Sequence, residues 1–156
     1  MLLTGAMLVV LSAAGCGGGG GDTTGEASSS LTKAAFLKKG NAICAKGNEK
    51  VEAGFESFSK QHHLSQSREP SDAVQEEAAE EVLIPAITAQ LEEIRALGTP
   101  KGDEGELEEI LVGAEEAVEE GEEDPATLLG NEPGKFTEVN KMARRYGLTV
   151  CGEEGG

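Results

Sequence analysis

Thiols, imidazoles and carboxylates are the groups in this chain that could do chemistry, and their spacing limits what that chemistry is. Cysteines stand at Cys16, Cys44 and Cys151. No two share the C-x-x-C spacing of a redox or metal motif, and none opens a haem-attachment C-x-x-C-H. Met142 is therefore expected to be a packing residue rather than a haem ligand. His62 and His63 are adjacent, so on a helix their rings diverge. Ser65 and Gln66 stand three and four residues beyond His62, where a further ligand would be needed, and both are poor metal ligands. A metal site needs three or four convergent ligands, so both histidines are expected at the surface of a connection. Neither G-x-S-x-G nor H-E-x-x-H occurs. No catalytic residue, no metal ligand and no cofactor is expected.

The carboxylates come in pairs: Glu76-Glu77, Glu80-Glu81, Glu92-Glu93, Glu108-Glu109, Glu115-Glu116, Glu119-Glu120 and Glu122-Glu123. The formal net charge is −16. From Glu69 to Glu132 there are 21 acidic and 2 basic residues, whereas the segment from Leu31 to Arg68 is net basic. Nucleic acid is excluded as a partner, because it needs a net basic footprint. Hard cations such as Ca²⁺ are the alternative occupants of the paired glutamates, but the alternating ligands of an EF-hand loop are absent. A solvated acidic face is the expected role.

The surroundings of Cys16 carry the clearest signal. Leu2 to Gly15 is apolar, uncharged and small at its end; Gly17 to Gly21 follow, and then a Ser/Thr tract. This resembles a bacterial lipoprotein signal, in which the leader is removed and the cysteine becomes an acylated, palmitate-type N-terminus. The apolar run is short of the roughly 20 residues that span a bilayer and fits a cleaved leader. No Lys or Arg precedes Lys33, so the basic start of such a leader is expected upstream of Met1. An ordinary secretory leader, or an N-terminal helix with Cys16 as a plain thiol, is the alternative. The resemblance implies a signal peptide over 1–15, a lipidated Cys16 with a flexible tether over 16–30, a folded domain over 31–152 and a short tail over 153–156. The tether's Gly/Ser/Thr composition gives a reach of about 20 Å. If Cys16 carries lipid, Cys44 and Cys151 remain as a pair in an oxidising compartment. A disulfide between them is then expected, two separate buried thiols being the alternative.

The elements that must position these residues read as helices. Phe36, Gly40, Ile43, Gly47, Val51, Phe55 and Phe58 recur on one face between Leu31 and Lys60, with Thr32 as N-cap. Gly40 and Gly47 lie on that face, where another backbone could approach closely. Ser71 is the expected cap of a second segment reaching Leu97, with Val74, Ala78, Val82, Leu83, Ile87, Leu91 and Ile94 on its face and Gly98 as its stop. Pro85 either kinks this segment or starts a new helix. Asp103 and Glu106 have the spacing of a capping box for a third helix, whose stripe is Leu107, Ile110, Leu111, Ala114 and Val118. Asp124-Pro125 could open a short turn through Leu129. The last helix runs from Lys135 to Tyr146, carrying Phe136, Val139, Ala143 and Tyr146, and Leu148 to Cys151 is an expected extended tail.

Such helices pack as an all-α, up-and-down bundle of about four, on its tether. The last helix then runs antiparallel to the first, which returns Cys151 toward Cys44 and closes the bundle. All aromatics lie in the first and last helices, so the core is expected between those two, flanked by the acidic helices. Asn41 and Asn140 either bond across the core or cover its flanks.

Phe36-Leu37-Lys38-Lys39-Gly40-Asn41-Ala42-Ile43-Cys44 and the segment from Phe136 to Cys151, with its Tyr146-Gly147-Leu148 step, resemble the two ends of small secreted actinobacterial lipoproteins. Ile84-Pro85-Ala86-Ile87 and Leu97-Gly98-Thr99-Pro100 match the same style. The resemblance implies a helical, exported, disulfide-bonded domain and supplies no catalytic residue. The expected function is a membrane-anchored, extracytoplasmic, non-enzymatic module that binds a protein or small ligand. A cation-binding or enzymatic acidic domain on the outer membrane face is the alternative.

Overall fold

The computed structural model describes residues 31–65, 70–125, 128 and 135–153. The expected leader, Cys16, the tether and the last three residues lie outside them. Among the described residues every regular element is helical and none is a strand. Helix α1 spans Lys33–Gln61. The second rod is continuous but changes pitch: α2 is Asp72–Ala78, a π turn covers Ala79–Leu83, and α3 is Ile84–Arg95. Helix α4 is Glu104–Glu123 and α5 is Lys135–Tyr146. Each rod packs on the next in chain order, the up-and-down arrangement expected of amphipathic helices with short connections.

Start and stop chemistry explains most boundaries. The Thr32 hydroxyl accepts from the Ala35 amide at 3.2 Å, a working N-cap. Ser71 stands at the N-cap position in extended backbone, yet its side chain makes no cap bond. Gly98 ends its rod at φ 72° and Gly147 ends α5 at φ 113°, backbone that glycine adopts without a Cβ penalty. Leu128 is helical and its amide bonds the Pro125 carbonyl at 3.2 Å. Positions 126, 127 and 129 of the expected Asp124–Leu129 turn lie outside the described residues.

Of the two expectations for Pro85, the start of a new helical piece is the one found. The proline sits in the first turn of α3, directly after the π turn, where the Ile84 amide bonds the Ala79 carbonyl five residues back. The proline ring removes a donor and crowds the carbonyl four residues earlier. Widening the preceding turn by one residue lets the helical path continue past the ring.

The core corrects the expectation that the first and last helices enclose it between them. Phe36, Cys44, Ile94, Val139, Ala143, Tyr146 and Leu148 cluster with Leu107, Ile110, Leu111 and Ala114 of α4. The acidic helix is therefore central. Its glutamates face outward while one full apolar stripe is buried, as a 3.6-residue period requires. α5 packs chiefly on α4 and α1 chiefly on α3, while α1 also meets the segment that follows α5, where Leu148 lies against Gly40. That segment is not extended: the Gly152 amide bonds the Leu148 carbonyl at 3.0 Å. Leu148 is 1% exposed.

The close-approach glycines act through side chains rather than backbones. A Cβ on Gly40 would lie 2.6 Å from Leu148 Cδ2, one on Gly47 would strike Gln90, and one on Gly54 would lie 2.5 Å from Val82 Cγ1. Spaced by seven residues, the three glycines form one seam of α1.

Candidate functional site

Cys44 and Cys151 form a disulfide, with Cα atoms 5.0 Å apart and a sequence separation of 107. Cys44 is buried and Cys151 half-buried. Asn41, one turn before Cys44, holds the same tail with both ends of its amide. Its Nδ2 donates to the Gly147 carbonyl at 3.0 Å, and its Oδ1 accepts from the Val150 amide at 2.8 Å. The open question about this asparagine is answered by the tail backbone rather than by Asn140. An Arg144 side-chain N–H donates to the Gly152 carbonyl and closes the turn from the other side.

Asp103 does not cap α4. Its side chain makes no cap bond and instead joins two distant segments. It accepts from the Tyr146 hydroxyl at 3.1 Å and pairs with Lys33 Nζ at 3.4 Å. Lys33 also stands 4.0 Å over the Tyr146 ring and 3.9 Å from Glu106. The expected capping-box pair thus faces a lysine. Glu104, the first residue of α4, reaches back to accept from the Gly102 amide ahead of the helix at 2.9 Å, a bond that lowers its pKa. Burial, and then donation to the Asp103 carboxylate, push the Tyr146 phenol above its usual range. Such a phenol is no base at neutral pH, and the cluster reads as a pin between the start of α1, the start of α4 and the end of α5. The lone tyrosine and the early lysine were visible in the sequence; their convergence was not.

Arg95 ends α3 and crosses to α4. Its Nε and Nη2 engage Glu115 at 2.5 and 2.9 Å, and Nη1 engages Glu108 at 3.1 Å. These bonds lower the Glu115 pKa and raise that of the guanidinium. Beside the pair lies a groove of about 350 Å³. Thr88, Leu91, Val118, Glu92, Glu119 and Glu122 line it. Sequence patterning exposed the glutamates but could not show that two rods leave a channel between them.

The remaining candidates stay apart. His62 stacks on Phe58 with ring centroids 4.0 Å apart and its Nδ1 lies 3.6 Å from Glu77. His63 is exposed with φ 52°. Met142 packs against the core. Among the described residues no three His, Cys, Asp or Glu side chains converge as metal ligands, and no helix is long and apolar enough to cross a membrane. Comparison with protein-family models, with curated proteins and with solved structures finds no match to this chain.

Proposed function

We propose that this chain is an extracytoplasmic lipoprotein: a helical, non-enzymatic binding module held at the membrane by an acylated Cys16. One observation carries this reading. Cys44 and Cys151 are spent on each other, so Cys16 is the odd cysteine, and it follows an uncharged apolar run ending in Ala14-Gly15. A long-range disulfide in a small domain favours an oxidising compartment. A cysteine behind a leader of this kind is the position that acylation uses. The non-enzymatic part is supported by how the polar side chains are employed. Asn41, Asp103, Tyr146 and Arg95 are bonded to the scaffold itself, and no nucleophile stands beside a base among them. The small secreted actinobacterial lipoproteins that the two chain ends resemble are the proposed relatives.

Expression in a bacterial host with a labelled palmitate analogue tests the anchor. The wild-type chain is expected in the membrane fraction with label, and Cys16→Ser in the medium or uncleaved without it. Label that persists in Cys16→Ser, or wild-type protein that takes none, overturns the proposal.

A further inference from the structure

Resting on the reading of Cys16 as a membrane anchor, we propose that the outer side of the first half of α1 is a membrane contact: Lys38, Lys39 and Lys46 lie on anionic phospholipid headgroups and turn the acidic helices away from the bilayer. Three other lysines of α1, Lys33, Lys50 and Lys60, each meet a carboxylate, on Asp103, Glu93 and Glu56. Lys38, Lys39 and Lys46 are exposed and have no ion-pair partner among the described residues. In a chain of 29 acidic and 13 basic residues, three cations without a carboxylate mark a face kept clear of acid. The sequence keeps it clear on both sides. No Asp or Glu stands between Leu31 and Asn48, and none between Val139 and Gly152, whose last turn is seated on this part of α1 through Asn41.

Helical spacing gathers the three. Lys38, Ala42 and Lys46 follow at four-residue steps and Lys39 lies seven residues before Lys46, so all share the outer side of the helix. Phe36, Gly40, Cys44 and Gly47 are buried on its other side. Ala42 and Ala45, between the lysines, are exposed and short, so the ammonium heads can reach one flat surface together along about 12 Å of helix. The place where the chain enters the domain names a lipid surface as the occupant. Cys16 stands 15 residues before Leu31, where the domain begins, and the intervening Gly/Ser/Thr composition gives a reach of about 20 Å. An acylated Cys16 holds the start of α1 near headgroups whatever charge the domain carries. A lysine feels an anionic bilayer only within a Debye length, about 8 Å at physiological ionic strength. The anchor therefore supplies proximity and the lysines supply orientation. The block from Glu69 to Glu132, with 21 acidic and 2 basic residues, is repelled by the same surface. Both forces turn the domain the same way, because α1 packs on α3 and its lysines face away from that contact.

The test couples the full chain through Cys16, the one cysteine outside the disulfide, to a maleimide lipid in vesicles of phosphatidylcholine, with or without phosphatidylglycerol. An uncharged reagent acetylates the lysines. Mass spectrometry reads each rate, scaled to that of Lys60, about 30 Å along α1 from Lys39. With phosphatidylglycerol present, Lys38, Lys39 and Lys46 are expected to react at least about threefold more slowly than in phosphatidylcholine alone. Sodium chloride at roughly 1 M, where the screening length is about 3 Å, should remove the difference. In Lys38→Gln/Lys39→Gln the protection of Lys46 should fall below about twofold, because one lysine alone orients the domain weakly. Equal scaled rates in the two kinds of vesicle, or protection that survives the salt, would overturn the proposal. Protection in untethered protein that grows with its concentration would make the acidic face of a second copy the occupant and overturn it too. Chemical coupling replaces cellular acylation here, so this proposal and the anchoring proposal fail separately.

Discussion

Asn41 faces the tail turn with a donor on Gly147 and an acceptor on Val150. Removing it strands a carbonyl and an amide in half-buried positions, which costs about 1–3 kcal/mol. Asn41→Ala is therefore expected to lower stability by that amount in urea unfolding, whereas Asn48→Ala, at an exposed position on the same helix, should cost under about 0.5 kcal/mol. Tyr146 gives a cleaner probe, since the chain has a single tyrosine and no tryptophan. Burial and Asp103 raise its pKa, so the native state holds the neutral phenol. Its contribution to stability is complete below the unfolded value of about 10 and is lost as pH rises from there toward the folded value. Absorbance at the tyrosinate band should therefore show no ionisation while the helices persist, and should rise together with the loss of helical circular dichroism. A tyrosinate step at the ordinary phenol pKa in folded protein would contradict the burial of this side chain. Neither Asn41 nor the Asp103–Tyr146 contact was legible in the sequence. A polar residue beside an apolar stripe has the same pattern whether it is exposed or bonded, and Asp103 has the residue type of a cap while serving as a cross-link.

At the scale of elements, helix positions were largely legible because periodicity and caps agree there. Lys135–Tyr146 matches its expected span, α1 begins and ends within two residues of its own, and α4 begins directly after Asp103. The π turn was not legible, since a helical piece that starts at Pro85 does not by itself require the preceding turn to widen. The glycine seam of α1 separates helix propensity from packing. At Gly40 an added methyl meets Leu148, which is buried and cannot retreat. Gly40→Ala is expected to destabilise by about 1–3 kcal/mol despite its better helix propensity. At Gly47 the obstacle is Gln90, a long half-buried side chain that can swing aside. Gly47→Ala should be neutral or stabilising, by up to about 1 kcal/mol. Thermal melts of the two variants check the pair; equal losses at both positions would show that Gln90 is fixed. Arg95 joins α3 to α4, but its side chain is 36% exposed, so Arg95→Ala should cost only about 1 kcal/mol or less.

At the scale of the molecule, the loop closed by Cys44 and Cys151 covers a sequence separation of 107. The chain-entropy estimate for such a loop is about 4–5 kcal/mol, with about 2–5 typically lost on removal. Reduced protein should melt earlier but keep its helices, because Leu148 and the Asn41 bonds still seat the tail. The acidic face adds repulsion that salt screens over about 10 Å at 0.1 M. Thermal stability is accordingly expected to rise with NaCl, and Ca²⁺ should act as a stronger screening ion. Saturable, stoichiometric micromolar Ca²⁺ binding by calorimetry would favour the cation-binding alternative instead. The acidic character of the α3–α4 surface is a matter of composition, but which glutamates of α4 meet Arg95 depends on how the two rods pack.

The claim that joins these scales is that Cys16 is the lipid-bearing N-terminus of an exported domain whose other two cysteines are bonded. Intact-mass measurement of the protein from the membrane fraction, with and without reduction, tests it most directly. The account predicts a chain that begins at Cys16, carries fatty-acyl mass on that residue, and gains two hydrogens when Cys44 and Cys151 are reduced. A species that retains residues 1–15, or one with an unmodified Cys16, would contradict it.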